Sequence, residues 1–277
     1  MSKSTGSRFG RILLWVTALI GLPAAALALY WLVTLPDVSH LAKHHPTETA
    51  LMEARRAQAK EQGHPLHIKY AWVPLSRITP ALQRAVVAAE DASFFAHEGF
   101  DWEGIKDAAL YNLEVGEFKR GGSTITQQLA KNLYLSSERS LLRKAREALI
   151  TRSLEHHLTK EQILELYLNV AEWGQGVFGA EAAARHHFGK SAKDLTVEEA
   201  ALLAAILPSP RRYDPIRHTA YLNRRQRHIV RWLERGGSRK SGSVTRSPLE
   251  PLEVVPVEES APHQERVLCY LDSPTEA

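Results

Sequence analysis

The chain has 277 residues, of which 44% are hydrophobic and 24% charged, and its formal net charge is +4. This length can bury one sizeable core or form two small domains. The mild basicity permits an anionic partner, but no arginine-rich tract or zinc-finger spacing indicates a nucleic-acid-binding protein. Cys269 is the single cysteine, which excludes a disulfide within the chain.

The N-terminal region contains an uncharged apolar run at 12–35, ILLWVTALIGLPAAALALYWLVTL. As a helix it would be about 36 Å long, enough to cross a hydrocarbon layer of about 30 Å. Lys3, Arg8 and Arg11 precede it, and basic flanks remain in the cytoplasm. The sequence therefore predicts a cytoplasmic tail at 1–11, a transmembrane helix at 12–35, and a remainder outside the cytoplasm.

A cleaved signal peptide is the alternative for this run. Ala26, Leu27 and Ala28 fit the small-residue pattern of a cleavage site. The apolar residues continue to position 35, which is long for a signal sequence and favours an uncleaved anchor.

The rest of the chain shows helical patterning between two polar segments. Residues 36–64 are polar and predict a stalk, and 236–277 are rich in Ser, Pro, Gly and charge, which predicts a disordered tail. Between them, at 65–235, helix-capping signals recur and no alternating strand pattern is visible. The capping positions are Thr79 before Pro80, Ser140, Thr159 with Gln162, and Thr196 with Glu199. The domain is predicted to be mainly α.

The first segment with chemical potential is AAEDASFFAHEGFD at 88–101. Glu90 and Asp91 lie within a predicted apolar helix over 81–95. A carboxylate bordered by apolar groups is partly desolvated, which raises its pKa and suits it to proton transfer. The alternative is a helix end with solvated acids.

The second segment is KRGGSTITQQLAKN at 119–132. Ser123 and Thr124 follow two glycines and could cap a helix whose exposed N–H groups bind an anion. Gln127, Gln128 and Lys131 would lie on successive turns of that helix. A polar surface helix is the alternative.

The third segment is RSLLRKARE at 139–147. Arg143 and Lys144 precede Glu147 by four and three residues, so all three share one helix face. They form either a solvated salt bridge or a basic phosphate site that contains a carboxylate.

Together these segments resemble the motifs of the peptidoglycan glycosyltransferase family. That family includes the monofunctional biosynthetic transglycosylases and the N-terminal domains of class A penicillin-binding proteins. The matching motifs are EDxxFxxHxGxD at 90–101, GSTITQQ at 122–128 with Lys131 and Asn132, RKxxE at 143–147, ILELYLN at 163–169 and AALLAAILPSP at 200–210. They span roughly 65–235, no transpeptidase domain is expected after them, and the tail inherits nothing from the resemblance.

The resemblance implies a fold, an activity and a location. The fold would be mainly α, a lysozyme-like helical lobe with a smaller membrane-facing jaw, preceded by one transmembrane helix. The activity would be polymerisation of lipid II into β-1,4-linked glycan strands, with inversion and release of undecaprenyl pyrophosphate, in cell-wall biogenesis. The enzyme would be a single-pass protein of the cell inner membrane, with a cytoplasmic N-terminus and a periplasmic catalytic domain.

It also implies roles for individual residues. Glu90 would be the base that takes the proton of the acceptor 4-hydroxyl, and Glu147 the second catalytic glutamate. The remaining positions would bind substrate, mainly its phosphates: Ser123, Gln128, Lys131, Arg139, Arg143 and Lys144. No cofactor is required by this scheme, although a divalent cation, Mg²⁺ or Mn²⁺, could accompany the pyrophosphate.

The expected partners are lipid II, the growing glycan strand, the bilayer and other cell-wall synthesis or division proteins, with no nucleic acid. The region 102–118 either dips into lipid or forms an ordinary amphipathic core helix.

Two rival functions use the same residues differently. A hydrolase of the same polymer would need one glutamate as an acid but no pyrophosphate site. A non-enzymatic membrane scaffold would require neither Glu90 nor Glu147 beside the basic residues.

Overall fold

The computed structural model describes residues 33–117, 121–135, 140–217 and 219–236, together with scattered positions between 14 and 31. From residue 50 onward, these described parts contain nine α-helices and three short strands. The helices are α1 Ala50–Glu61, α2 Pro80–Glu90, α3 Trp102–Val115, α4 Ile125–Tyr134, α5 Leu141–His157, α6 Lys160–Val170, α7 Ala180–Phe188, α8 Val197–Ile206 and α9 Ala220–Gly236. The strands are β1 Lys69–Tyr70, β2 Glu172–Gly174 and β3 Val177–Phe178. The predicted mainly α fold is confirmed.

The core is built around α8. Residues 200–206 of this helix are all buried, as expected for a helix that is apolar on every side. It packs against α2 and α9, while α4 packs against α5 and α6. These two groups of helices carry the residues of the candidate site.

Side-chain caps fix where the helices begin. Thr159 and Thr196 form the predicted capping boxes with Gln162 and Glu199, and Ser140 caps α5. Thr124 forms a further capping box with Gln127 at the start of α4. Each cap satisfies backbone N–H groups that would otherwise lack a partner.

Helix α2 is shorter than the prediction over 81–95, because it ends at Glu90. Asp91 leaves the helical conformation, with φ −160° and ψ 76°. Its carboxylate accepts a hydrogen bond from the backbone N–H of Ile125 at 3.0 Å. The tertiary bond to α4 thus replaces continuation of the helix, and a short 3₁₀ turn follows at Phe94–Ala96.

The three strands form a small sheet that the sequence did not predict. The order is β1-β3-β2, with β1 parallel and β2 antiparallel to β3. Strands of two or three residues are too short to show an alternating pattern.

The range 36–64 was predicted as a stalk because it is polar. The structure shows that part of it is folded onto the domain. It contains a 3₁₀ turn at Ser39–Ala42 and helix α1, and Val38 and Met52 are each only 1% exposed. Arg55 Nε lies 2.8 Å from the buried Glu172 carboxylate, which ties α1 to β2.

Nine of the 24 residues in the predicted span at 12–35, and nearly all of the predicted tail at 236–277, lie outside the described residues. Among the residues that are described, no helix is both long enough and apolar enough to cross a bilayer. The transmembrane helix and the disordered tail therefore stay predictions.

Candidate active site

The side chain of Glu90, the last residue of α2, is largely shielded from solvent. It is 10% exposed. Gln128 Nε2 donates to Oε2 at 3.0 Å, and Arg225 Nη2 lies 3.5 Å from Oε1. Within the described residues Oε1 is buried and has no hydrogen-bond donor. Burial raises the pKa of Glu90, and the charge of Arg225 and the bond from Gln128 oppose that rise.

Tyr167 of α6 orients the Gln128 amide. Its hydroxyl donates to Gln128 Oε1 at 3.0 Å, which leaves the amide nitrogen facing Glu90. Burial, followed by the charge of Glu90, raises the pKa of Tyr167 well above its ordinary value. The phenol therefore stays protonated and remains a hydrogen-bond donor. The hydrogen bonds run in one direction, from Tyr167 to Gln128 and from Gln128 to Glu90.

Asp91, next to Glu90, has a structural position. His97 Nδ1 accepts from the Gly99 N–H at 3.1 Å, so Nε2 carries the proton and donates to Asp91 at 3.0 Å. Thr124 Oγ1 donates to the Gly99 carbonyl at 2.7 Å. Gly99 has φ +85°, and a Cβ there would lie 2.8 Å from the Thr151 side chain. These contacts hold the loop after Glu90 against the start of α4.

Glu147 is surrounded by cations. Its side chain is 3% exposed, Arg143 Nη1 lies 2.7 Å from Oε2, and Lys144 Nζ contacts Oε1. Lys144 Nζ also donates to Ser123 Oγ at 3.3 Å. The Ser140 cap sets the start of α5, so Arg143, Lys144 and Glu147 occupy adjacent turns on one face.

Lys131 of α4 interacts electrostatically with both glutamates. Its side chain reaches the surface, yet the surrounding protein desolvates the amine and lowers the pKa of Lys131. Glu147 opposes this most strongly, and Glu90 opposes it as well, while Arg143 and Lys144 lower the pKa further. Lys131, Arg143 and Lys144 are called the cationic cluster below.

Arg225 of α9 was not singled out from the sequence. It lies on the buried face of the helix, three residues after Leu222 and four before Ile229, which are 0% and 2% exposed. Its Nη2 also donates to the Ala89 carbonyl at 3.4 Å, and its Nε is buried without an acceptor in the described residues. The available signal was an arginine at an apolar position of an amphipathic helix.

The structure thus brings together nearly all of the predicted site residues. Ser123, Gln128 and the cationic cluster lie around Glu90 and Glu147 through the contacts above, whereas Arg139 lies outside the described residues. A desolvated carboxylate beside clustered cations can take a proton where a leaving anion is stabilised. The individual roles stay predictions.

Glu147 has no vacant oxygen for a metal ion, because each oxygen already contacts a cation. Across the described ranges, no group of three or more His, Cys, Asp or Glu side chains is placed to hold one. The donor set around Glu147 therefore does not fit a protein-bound metal by itself.

Helix α3 covers most of the region 102–118, and it is not a core helix. Ala108 is its one buried residue. Trp102, Leu110 and Leu113 are 72%, 55% and 78% exposed, and Trp102 stacks on Phe100. These three side chains give α3 an exposed apolar surface, and Phe95, in the loop before it, is also 59% exposed.

Comparison with known proteins finds one family and several relatives that match most of the chain. A family model described as Transglycosylase matches residues 59–234. The biosynthetic peptidoglycan transglycosylase of Bordetella pertussis is 50% identical over 220 residues, which cover 78% of this chain and 91% of the relative.

Two further relatives have the same description, biosynthetic peptidoglycan transglycosylase. That of Laribacter hongkongensis is 50% identical over 211 residues, covering 75% of this chain and 92% of its own. That of Herminiimonas arsenicoxydans is 45% identical over 216 residues, covering 73% and 94%.

Proposed function

The chain belongs to the transglycosylase family and is a peptidoglycan glycosyltransferase of cell-wall biosynthesis, and we propose that it joins lipid II units in a single inverting displacement. The family resemblance of the five motifs is thereby confirmed. The observation that carries the proposed mechanism is the desolvated Glu90 carboxylate, which interacts electrostatically with Lys131 of the cationic cluster.

Glu90 is the base of the proposed reaction. The acceptor 4-oxygen attacks the anomeric carbon of the donor, the bond from that carbon to the pyrophosphate oxygen breaks, and the proton of the 4-hydroxyl passes to Glu90. Gln128 donates to Oε2, and Oε1 has no hydrogen-bond donor among the described residues, so the carboxylate retains an unused acceptor position for the proton. The raised pKa of Glu90 brings it nearer to the working pH, which favours general base catalysis.

The cationic cluster stabilises the leaving group. Undecaprenyl pyrophosphate departs as an anion, so the site needs positive charge more than an acid proton. Glu147 orients Arg143 and Lys144 towards one place, and Lys131 links that place to Glu90. Arg139 would add a further cation. The growing strand is the donor, and an incoming lipid II is the acceptor.

The protein itself requires no metal in this proposal. The cationic cluster supplies the charge that a divalent cation supplies elsewhere, and both Glu147 oxygens contact cations. Mg²⁺ or Mn²⁺ would associate mainly through the pyrophosphate oxygens of the substrate.

We further propose that the enzyme works at the inner membrane. The apolar run at 12–35 is the anchor, with the N-terminus cytoplasmic and the catalytic domain periplasmic. The apolar surface of α3 supports a membrane-facing jaw, because exposed Trp and Leu side chains favour the lipid interface. A C-terminal alkaline phosphatase fusion should be active, and an inactive fusion would contradict this orientation. Recruitment by other cell-wall synthesis or division proteins remains a prediction.

One assay separates the proposed reaction from its rivals. Purified full-length protein is incubated with labelled lipid II and, separately, with preformed glycan. Transfer gives polymer from lipid II, a hydrolase shortens preformed glycan, and a scaffold does neither. Shortening without polymer would overturn the proposal.

A further inference from the structure

Arg146 is the one basic residue at 143–147 that does not contact Glu147. Its guanidinium instead contacts the end of the N-terminal apolar run. Nη2 donates to the Thr34 carbonyl, and Nη1 donates to the Thr34 hydroxyl at 3.3 Å. Among the described residues no carboxylate forms a salt bridge with Arg146. This arginine therefore joins α5 to the N-terminal segment.

Thr34 is itself tied to the apolar run that precedes it. Its N–H bonds to the Tyr30 carbonyl at 2.9 Å, and its hydroxyl donates to the same carbonyl at 2.7 Å. Arg146 therefore holds a terminal helical turn rather than a loose strand. A planar guanidinium that donates to two oxygens of one residue fixes direction as well as distance.

The chain after Thr34 is also held against the domain. Val38 and Leu41 are 1% and 6% exposed within the core, and the 3₁₀ turn Ser39–Ala42 lies on α5. Gln162 Nε2 donates to the Ala42 carbonyl at 3.4 Å. Pro36 restricts the backbone between these contacts. The segment 34–42 therefore has too little conformational freedom to act as a hinge.

We propose that Arg146 is a positioning residue that couples the end of the membrane anchor to α5. Helix α5 carries Arg143, Lys144 and Glu147, so the coupling fixes the height of the cationic cluster above the bilayer. This inference rests on the proposed function and its membrane anchor.

The physical reason lies in the substrate. A lipid-linked pyrophosphate is held at one depth, because its hydrocarbon chain stays in the bilayer. An enzyme on a loose tether samples many heights, and few of them place the cationic cluster at that depth. A rigid coupling increases the productive fraction without contacting the substrate.

The test compares two substrates with Arg146→Met in the full-length enzyme. Polymerisation of lipid II in lipid nanodiscs should fall by about tenfold, since small losses of positioning are costly. Turnover of a water-soluble, short-chain lipid II analogue, measured in solution, should stay within about twofold of the unmodified enzyme, because no bilayer fixes its height. Arg146→Lys, which retains a donor for the Thr34 carbonyl, should give an intermediate loss in nanodiscs.

Arg152→Met is the matched control. Arg152 lies on the same helix, and its salt bridge among the described residues is an exposed pair with Glu98, with side chains 66% and 83% exposed. It should leave both substrates unaffected.

A distance measurement gives an outcome independent of activity. Spin labels at Val33→Cys and Leu149→Cys, in a Cys269→Ser background, should show a narrow distance distribution that broadens with Arg146→Met. Both label sites are exposed, at 76% and 39%.

Three results would overturn the coupling: equal losses on both substrates, undiminished polymerisation in nanodiscs, or an unchanged distance distribution. If Arg146→Met does not fold, Arg146→Lys carries the same comparisons. Failure of the unmodified enzyme to polymerise either substrate would instead contradict the proposed function.

Discussion

Glu90 and Glu147 both have side chains largely shielded from water, 10% and 3% exposed, yet their surroundings differ. Glu147 has a cation against each oxygen, Arg143 on one and Lys144 on the other. Glu90 has an amide on one oxygen, and Arg225 is 3.5 Å from the other. The first carboxylate is committed to holding cations, whereas the second retains an oxygen that can accept a proton. Environment rather than residue type therefore separates the two proposed roles.

The largest expected effect is that of Glu90→Gln. Turnover should fall about a hundredfold or more, the range for loss of a general base, while a non-reactive lipid II mimic still binds. Near-normal polymerisation by this variant would contradict the assignment.

The same variant should not lose stability at neutral pH. Burial raises the pKa of Glu90 in the folded state. Its contribution to stability is therefore complete below the unfolded pKa and is lost as the pH rises through the folded pKa. Glu90→Gln removes that loss, so its melting temperature at pH 7 should equal or exceed that of the unmodified enzyme. A clear decrease would show that Glu90 has a structural role.

Glu147→Gln should have a smaller effect on turnover but should also weaken binding of the mimic. Arg143 and Lys144 lose their common partner and can misorient, at a cost of about 1–3 kcal/mol of folding free energy. Lys144→Ala should resemble it. The control is Glu98→Gln, which breaks an exposed pair and should change stability by less than about 0.5 kcal/mol. If Glu147→Gln and Glu98→Gln both changed stability by the same small amount, the ion pairs of Glu147 would contribute no more than surface salt bridges do.

Arg225→Gln tests the cation next to Glu90. Arg225 opposes the raised pKa of Glu90 more than any other group, so its loss should raise that pKa further. The acid limb of the pH–rate profile should move to higher pH, with activity recovering under alkaline conditions. Arg224→Gln, an exposed neighbour on α9, is the control and should leave the limb in place.

Lys131→Arg should produce the smallest change. The lowered pKa of Lys131 means that its charge, and with it activity, is lost as the pH rises through that pKa. A guanidinium stays charged, so Lys131→Arg should extend activity to higher pH and alter it little at pH 7. An unchanged alkaline limb would show that another group controls it.

The same two glutamates show what the sequence could predict. The partners of Glu147 are three and four residues away on one helix, so spacing alone predicted their contact. The partners of Glu90 come from α4 and α9, and α9 comes near Glu90 only through tertiary packing against α2 and α8. Arg225 was therefore missed, although its place on an apolar helix face was visible.

For the fold, as for the site, the sequence predicted the features that depend on local contacts and not those that depend on tertiary contacts. Capping residues placed the starts of α2, α5, α6 and α8, because those bonds are local. The end of α2 was placed too late, because Asp91 makes a tertiary bond to α4 that no local pattern reveals. The strands were too short to recognise, and the packing of α1 depends on the distant Glu172.

The most direct test of the central claim compares two titrations. One is the acid limb of kcat/KM for lipid II, and the other is the Glu90 carboxyl itself, followed by carbon-13 NMR and identified by its absence in Glu90→Gln. We expect both midpoints to coincide, above the ordinary value of 4.5. A Glu90 carboxyl that is already ionised throughout the acid limb would contradict its role as the base.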